Sequence, residues 1–257
     1  MFLFLIPNRD GRSFRATCSM QPPDGIVSVI PLPEFEVVNI KSDPQWLLRH
    51  QFGDPESPEK MANILPRIEE RTLILEDRLS IIRDCCENVS HLDGMVAEVG
   101  VFKGGSLDLL SSSIPSKMVH GFDTFQGFIT GPTSEDFCEA GMPDLSPFVG
   151  TSFADVLSSV GRKRNIRLHR GEFPSTARWL FDDDRFCLVH FDADLHDVAI
   201  SFMETFYHRM VPGGKMIFDD YDFGYFPGVK TAVDHFLSDK PEWTVQTSTI
   251  QCVVTKE

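Results

Sequence analysis

The stretch Ala97-Glu98-Val99-Gly100-Val101-Phe102-Lys103-Gly104-Gly105-Ser106 decides the architecture. It follows the apolar pair Met95-Val96 and runs into a helical pattern, so it reads as strand, glycine turn and helix start. Gly100 permits a sharp turn, and Gly104-Gly105 lets backbone approach a ligand closely. Amides at a helix start, joined by Ser106, suit a carboxylate. The spacing is G-x3-G-G rather than the GxGxxG of dinucleotide sites. Downstream, short apolar strands are expected at Met95–Val99, Met118–Phe122, Ile166–His169, Phe186–Phe191 and Lys215–Phe218. Helical stretches are expected near 106–113, 151–160, 174–181, 197–209 and 228–238. Repeated strand–helix units imply a doubly wound α/β fold, its mostly parallel sheet covered on both faces, with ligands at the carboxyl ends of the strands. The runs Trp243–Thr249 and Gln251–Thr255 alternate like a pair of edge strands, which would close the sheet with an antiparallel strand.

Upstream of that core, residues 1–56 carry little regular pattern and seven prolines, with strand-like pieces at Ile26–Ile30 and Phe35–Val38. They are expected to be an extension, an arm or lid or subunit interface, on a domain spanning 57–257. Met1–Ile6 is apolar but too short for a membrane span or a signal peptide. Ser57-Pro58 suits a helix N-cap and first helical position, and Pro66 interrupts or restarts that helix. Ile68, Thr72, Leu75, Leu79, Ile82, Cys86 and Val89 then recur at steps of three and four, an amphipathic helix feeding the first core strand. Residues 126–150 hold four glycines, three prolines and no clear period, which suits a lid over the active site.

Composition narrows the function. A formal net charge of −14 without a long basic block disfavours nucleic acid, whose phosphates dominate its binding, and favours a small neutral or cationic substrate. The six cysteines form no CxxC pair and no zinc spacing, as expected of reduced thiols in a cytoplasmic protein.

Acids sit where such a sheet would present ligands. Asp123 follows the second strand, where a carboxylate can accept from both hydroxyls of a ribose. Phe186–Phe191 ends in Asp192-Ala193-Asp194, and Met216–Phe218 ends in Asp219-Asp220-Tyr221-Asp222. If those strands are neighbours, four or five carboxylates converge, and such a cluster needs a cation or protons. Oxygen-only ligands favour Mg²⁺, with Ca²⁺ or Mn²⁺ as alternatives. The same acids could instead cap helices or hold loop amides. His196 could act as a base or begin the next helix as an exposed residue. His190 reads as a packed core residue, and Tyr221, Tyr225 and Phe226 as pocket wall or as packing.

The runs Glu98-x-Gly100-Val101-Phe102-x-Gly104-Gly105-Ser106 and Gly121-Phe122-Asp123-Thr124-Phe125-x-Gly127 resemble the macrocin O-methyltransferase family, which includes mycinamicin and aminocoumarin sugar methyltransferases. His169–Phe173, Asp192–Leu195, Pro212-Gly213-Gly214 and Asp219-Asp220-Tyr221 extend the likeness in order over about 95 to 238. The resemblance implies a class I, Rossmann-like methyltransferase fold and S-adenosylmethionine as methyl donor. It implies donor contacts from Glu98, Gly100, Phe102, Gly104, Gly105, Ser106 and Asp123, with Gly171 and Phe173 on the adenine side. It further implies a divalent-metal triad of Asp192, Asp219 and Asp220, with Asp194 as general base and His196 as its rival. Ala193, where the family tends to have glycine, and His196, where it more often has tyrosine, leave the acceptor open. The expectation is methyl transfer to a hydroxyl of a sugar or other small natural product, assisted by Mg²⁺, with no nucleic-acid or membrane partner and a possible homo-oligomer through the extension. The alternatives are a catechol- or phenol-type acceptor, a nicotinamide-dependent oxidoreductase, and a non-catalytic ligand-binding protein.

Overall fold

The computed structural model describes residues 2–7, 13–18, 58–129, 131–138, 145–160 and 163–257. The chain divides into two units, 1–47 and 48–257. In the first, β1 (Phe2–Pro7) pairs antiparallel with β2 (Ser13–Cys18), Phe2 opposite Cys18 and Pro7 opposite Ser13. The strand-like pieces at 26–30 and 35–38, the Ser57 cap and the remaining part of the 1–56 extension lie outside the described residues.

In the second unit, α1 (Pro58–Ile68) carries Pro66 inside it and ends two residues later. A 3-10 turn follows, and Thr72 and Leu75 are extended before α2 (Glu76–Val89) begins. The apolar repeat expected to run continuously through Thr72 and Leu75 therefore breaks. Gly105 explains the break: a Cβ there would lie 2.8 Å from the Arg71 carbonyl oxygen and from Thr72 Cβ, so this segment packs directly on the glycine turn.

Then come β3 (Met95–Val99), α3 (Gly105–Ser113), β4 (Val119–Asp123), α4 (Phe153–Val160), β5 (Ile166–Arg170), β6 (Phe186–Phe191), α5 (His196–Phe206), β7 (Met210–Phe218), α6 (Pro227–Leu237), β8 (Thr244–Gln246) and β9 (Cys252–Thr255). The sheet order is β5-β4-β3-β6-β7-β9-β8, with β9 antiparallel to both neighbours and the rest of the ladder parallel. The fold is that of a class I methyltransferase. Of the two terminal strands expected at an edge, only β8 is one. β9 is interior, because Cys252, Val253 and Val254 are buried on both faces. The helix expected at 174–181 is instead a five-residue 3-10 turn, Ser175–Trp179. So short a segment cannot repay the cost of nucleating an α-helix.

Alternation along the strands sorts the core into two layers. Ile217, Leu188, Val119 and Val253 meet Leu79, Ile82, Leu107 and Val156 of α2, α3 and α4. Met216, Phe218, Val189 and Phe191 meet Phe202, Phe206, Val229 and Val233 of α5 and α6. Six phenylalanines, at 122, 186, 191, 202, 206 and 218, are fully buried, each contributing about 1.5–3 kcal/mol by leaving water. Cys85, Cys86, Cys187 and Cys252 are buried thiols, and burial pushes Cys85 up to about 12. Among the described residues no helix is long and apolar enough to cross a membrane.

Candidate active site

The site forms where four parallel strands end level with one another. Val99, Phe191 and Phe218 stand in register across β3, β6 and β7. The ladder continues one step past each strand: Gly100 N–H donates to the Phe122 carbonyl at 3.0 Å, Asp192 N–H to Val99 and Asp219 N–H to Phe191, each at 2.9 Å. The glycine turn and both acidic strand ends are thereby delivered side by side. Gly100 is required at this point, since at φ +90° a Cβ would lie 1.8 Å from the Asp192 carbonyl oxygen.

These groups open into a cavity of about 560 Å³. Its wall includes Gly100, Phe102, Ser106, Asp123, Gly171 and Phe173 on one side and Asp192, Asp194, Asp219 and Asp220 on the other. Glu98, Gly104 and Gly105 stand outside the wall. Glu98 is fully buried and accepts or shares a proton with His190 Nδ1 at 2.9 Å, bridging β3 and β6. Gly104 takes a left-handed φ of +83° at the start of α3. Asp123 is held by the turn itself: its Oδ2 accepts from the amides of Val101 (2.8 Å) and Phe102 (2.9 Å), and its Oδ1 from that of Phe125 (2.6 Å). A carboxylate has about four acceptor positions, so three amides leave room for a ligand hydroxyl.

One oxygen from each of Asp192, Asp219 and Asp220 lies within 4.8 Å of the others. Hard oxygen donors at this spacing suit Mg²⁺ or another hard divalent cation. Burial, and then repulsion from Asp219 and from Asp220, lifts the Asp192 carboxyl well above the usual range. Burial and then Asp219 push Asp220 up to about 7. Burial, followed by Asp220 and Asp192, raises Asp194 strongly, and its side chain hydrogen-bonds Asp220. The cluster is therefore short of positive charge. Behind it, burial would lower His190, but Asp219 and Glu98 outweigh it and push the imidazole up to about 10. Asp194 itself sits at φ +61°, a left-handed conformation uncommon for a residue with a side chain and concentrated at functional sites.

His196 is outside the cavity wall. It begins α5, and its Nδ1 lies 2.8 Å from Asp197 Oδ1. Phe226 lines the cavity, whereas the buried Tyr221 hydroxyl bonds Asp234 at 2.6 Å and Tyr225 is exposed. The stretch at 126–150 does reach the site: Gly127, Phe128, Ile129 and Phe148 line it, and Phe102 meets Phe148 edge-on at 6.0 Å.

Sequence reasoning passed over Arg78, whose guanidinium pairs with Asp219 and lies 3.6 Å from Asp220. It also passed over Asp136, whose fully buried carboxylate accepts from the His196 amide at 2.7 Å and the Thr133 amide at 2.8 Å. Asp108 was a third, gathering Arg67, Arg71 and Lys163. Each partner is at least 37 residues away along the chain, except Thr133, so no local spacing signals it.

The family model of the macrocin O-methyltransferases (TylF) matches residues 40–250. The chain belongs to that family. This TylF-family protein is an S-adenosylmethionine-dependent O-methyltransferase, which sets aside the nicotinamide and non-catalytic alternatives. It is 27% identical over 180 residues to the demethyldecarbamoylnovobiocin O-methyltransferase of Streptomyces niveus, covering 64% of this chain and 67% of that one. Its fold matches the O-methyltransferase NovP with a TM-score of 0.62 at 20% identity, over 83% of this chain and 99% of NovP. It matches the calicheamicin methyltransferase CalS11 equally well, TM-score 0.62 at 18% identity, over 93% and 99% of the two chains.

Proposed function

We propose that this TylF-family enzyme methylates a hydroxyl of a sugar or other small natural-product acceptor bearing a neighbouring oxygen, with a divalent cation, best Mg²⁺, at the acidic strand ends. The observation that carries the proposal is that one cavity is walled both by Gly100, Phe102, Ser106 and Asp123 and by Asp192, Asp219 and Asp220. The names of the relatives, a demethyldecarbamoylnovobiocin O-methyltransferase and a calicheamicin methyltransferase, support the acceptor class.

The donor's amino-acid end suits the amides at the start of α3 and Ser106, and its ribose suits the acceptor capacity left on Asp123. Gly171 and Phe173 would flank the adenine. When bound by Asp192, Asp219 and Asp220, a divalent ion would supply Lewis acidity that lowers the acceptor hydroxyl's pKa. Asp194, at the edge of the acidic cluster with its carboxyl raised by burial and by Asp220 and Asp192, takes the hydroxyl proton. The oxygen's electron pair forms the O–CH3 bond as the S–CH3 bond breaks, and the sulfonium leaves as a neutral thioether. Proximity and alignment in the cavity carry much of the acceleration. Phe128, Phe148, Phe223 and Phe226 give apolar walls that exclude water and seat an uncharged ring.

The test is methyl transfer from S-adenosylmethionine to a panel of glycosidic vicinal diols and catechols. Activity should vanish with EDTA, return with Mg²⁺, and be lost in Asp192→Ala while S-adenosylhomocysteine still binds. Full activity in EDTA would remove the cation from the reading, and a preference for catechols would move the acceptor class.

A further inference from the structure

The acidic cluster already holds a cation of its own. Arg78, in the first turn of α2, pairs through Nη1 with Asp219 Oδ2 and lies 3.6 Å from Asp220 Oδ1. Its side chain is 13% exposed and faces the cavity, while Asp219 is 1% exposed. The other Asp219 oxygen, Oδ1, accepts from Gln251 Nε2 at 2.5 Å. Two of the three carboxylates that would ligate a divalent ion are thus engaged by one guanidinium.

The geometry points to Arg78 as a displaceable counter-ion that competes with the divalent cation for Asp219 and Asp220. This rests on the cation reading above. The charges explain why such a residue belongs here. Asp192, Asp194, Asp219 and Asp220 crowd four acids into a site largely removed from water, where like charges are barely screened. Arg78 offsets part of that repulsion before a cation arrives. A divalent ion that takes Asp219 must then displace the guanidinium paired with the same carboxylate, so the arginine weakens cation affinity while it preserves the metal-free fold. Arginine suits the task because its guanidinium stays charged at any working pH and is less strongly hydrated than an ammonium.

The experiment is calorimetric titration of MgCl2 and MnCl2 into EDTA-stripped, dialysed full-length protein, alongside thermal unfolding with and without cation. Wild type is compared with Arg78→Gln and Arg78→Met, which remove the charge, and with Arg78→Lys, which keeps it. Both neutral variants should bind the cation about ten-fold more tightly or better, a change on the order of 1.4 kcal/mol. They should also melt lower than wild type without cation and recover with it, whereas Arg78→Lys should stay within about three-fold of wild-type affinity. If neither neutral variant folds without cation, purification in MgCl2 should recover folded protein, and failure of that rescue counts against the proposal. Wild type that binds Mn²⁺ while the neutral variants bind equally or less tightly overturns the counter-ion role and leaves the cation reading standing. No binding in any of the proteins overturns both.

Discussion

Gly100 joins the two halves of the site at a single atom. With φ at +90° and a prospective Cβ 1.8 Å from the Asp192 carbonyl, no side chain fits there without moving β6. Gly100→Ala should therefore cost about 3 kcal/mol or more, from strain and the forced shift of backbone. Chemical denaturation would show it, together with loss of S-adenosylhomocysteine binding, and a change under about 0.5 kcal/mol would mean that the turn yields easily. Asp194 is constrained differently: its left-handed backbone and its hydrogen bond to Asp220 aim its carboxyl at the acidic cluster. Asp194→Asn keeps the shape and removes the base. Turnover should fall about 10²- to 10⁴-fold with Mg²⁺ affinity retained in a calorimetric titration. Near-normal turnover would return the base role to His196 or to solvent.

At the scale of elements, the segment 131–138 is fastened to α5 and α6 through one carboxylate. Asp136 closes a capping box with Thr133 and accepts the first amide of α5 at His196. An anion at a helix N-terminus meets amides that have no partner within the helix, as well as the positive end of the macrodipole. Gly228 of α6 is the floor of this contact, for a Cβ there would come 2.2 Å from Asp136 Oδ1. Gly228→Ala should thus destabilise wild type by about 2 kcal/mol and the Asp136→Ala protein by much less, a coupling that a double-mutant cycle in urea would measure. Equal effects in both backgrounds would mean that Gly228 matters only to its own helix. The 126–150 stretch was legible as a long loop from its glycines and prolines. Its docking was not, because an isolated aspartate in a loop carries no mark of the helix end that will bind it.

The stability of the whole molecule carries the signature of its buried ionisable groups. Burial, and then the charge of His169, lowers His120 to about 4, and the two rings stack at 5.1 Å between β4 and β5. Its folded pKa lies below the unfolded value of 6.5, so between pH 6.5 and about 4 the unfolded chain binds a proton that the folded one refuses. Stability is lost as pH falls through that window, by on the order of 2–3 kcal/mol from this ring. Asp220, raised to about 7, slopes the other way, so the readout is the difference between wild type and His120→Phe across pH 7 to 4.5. The variant should lose less stability on acidification, and parallel curves would show that His120 takes up a proton without cost in the fold.

What could be read from one dimension was whatever repeats or clusters within a few residues. The alternation of apolar strands and helices, the G-x3-G-G turn and the paired acids after Phe191 and Phe218 are local patterns, and local patterns follow from backbone periodicity and the freedom of glycine. Tertiary structure alone decided which strands are neighbours, that β9 lies inside the sheet, and that Arg78 comes to rest on acids 141 residues away. Electrostatic partnership and close approach depend on distance in space, and a residue's position along the chain does not encode that distance until the sheet has assembled.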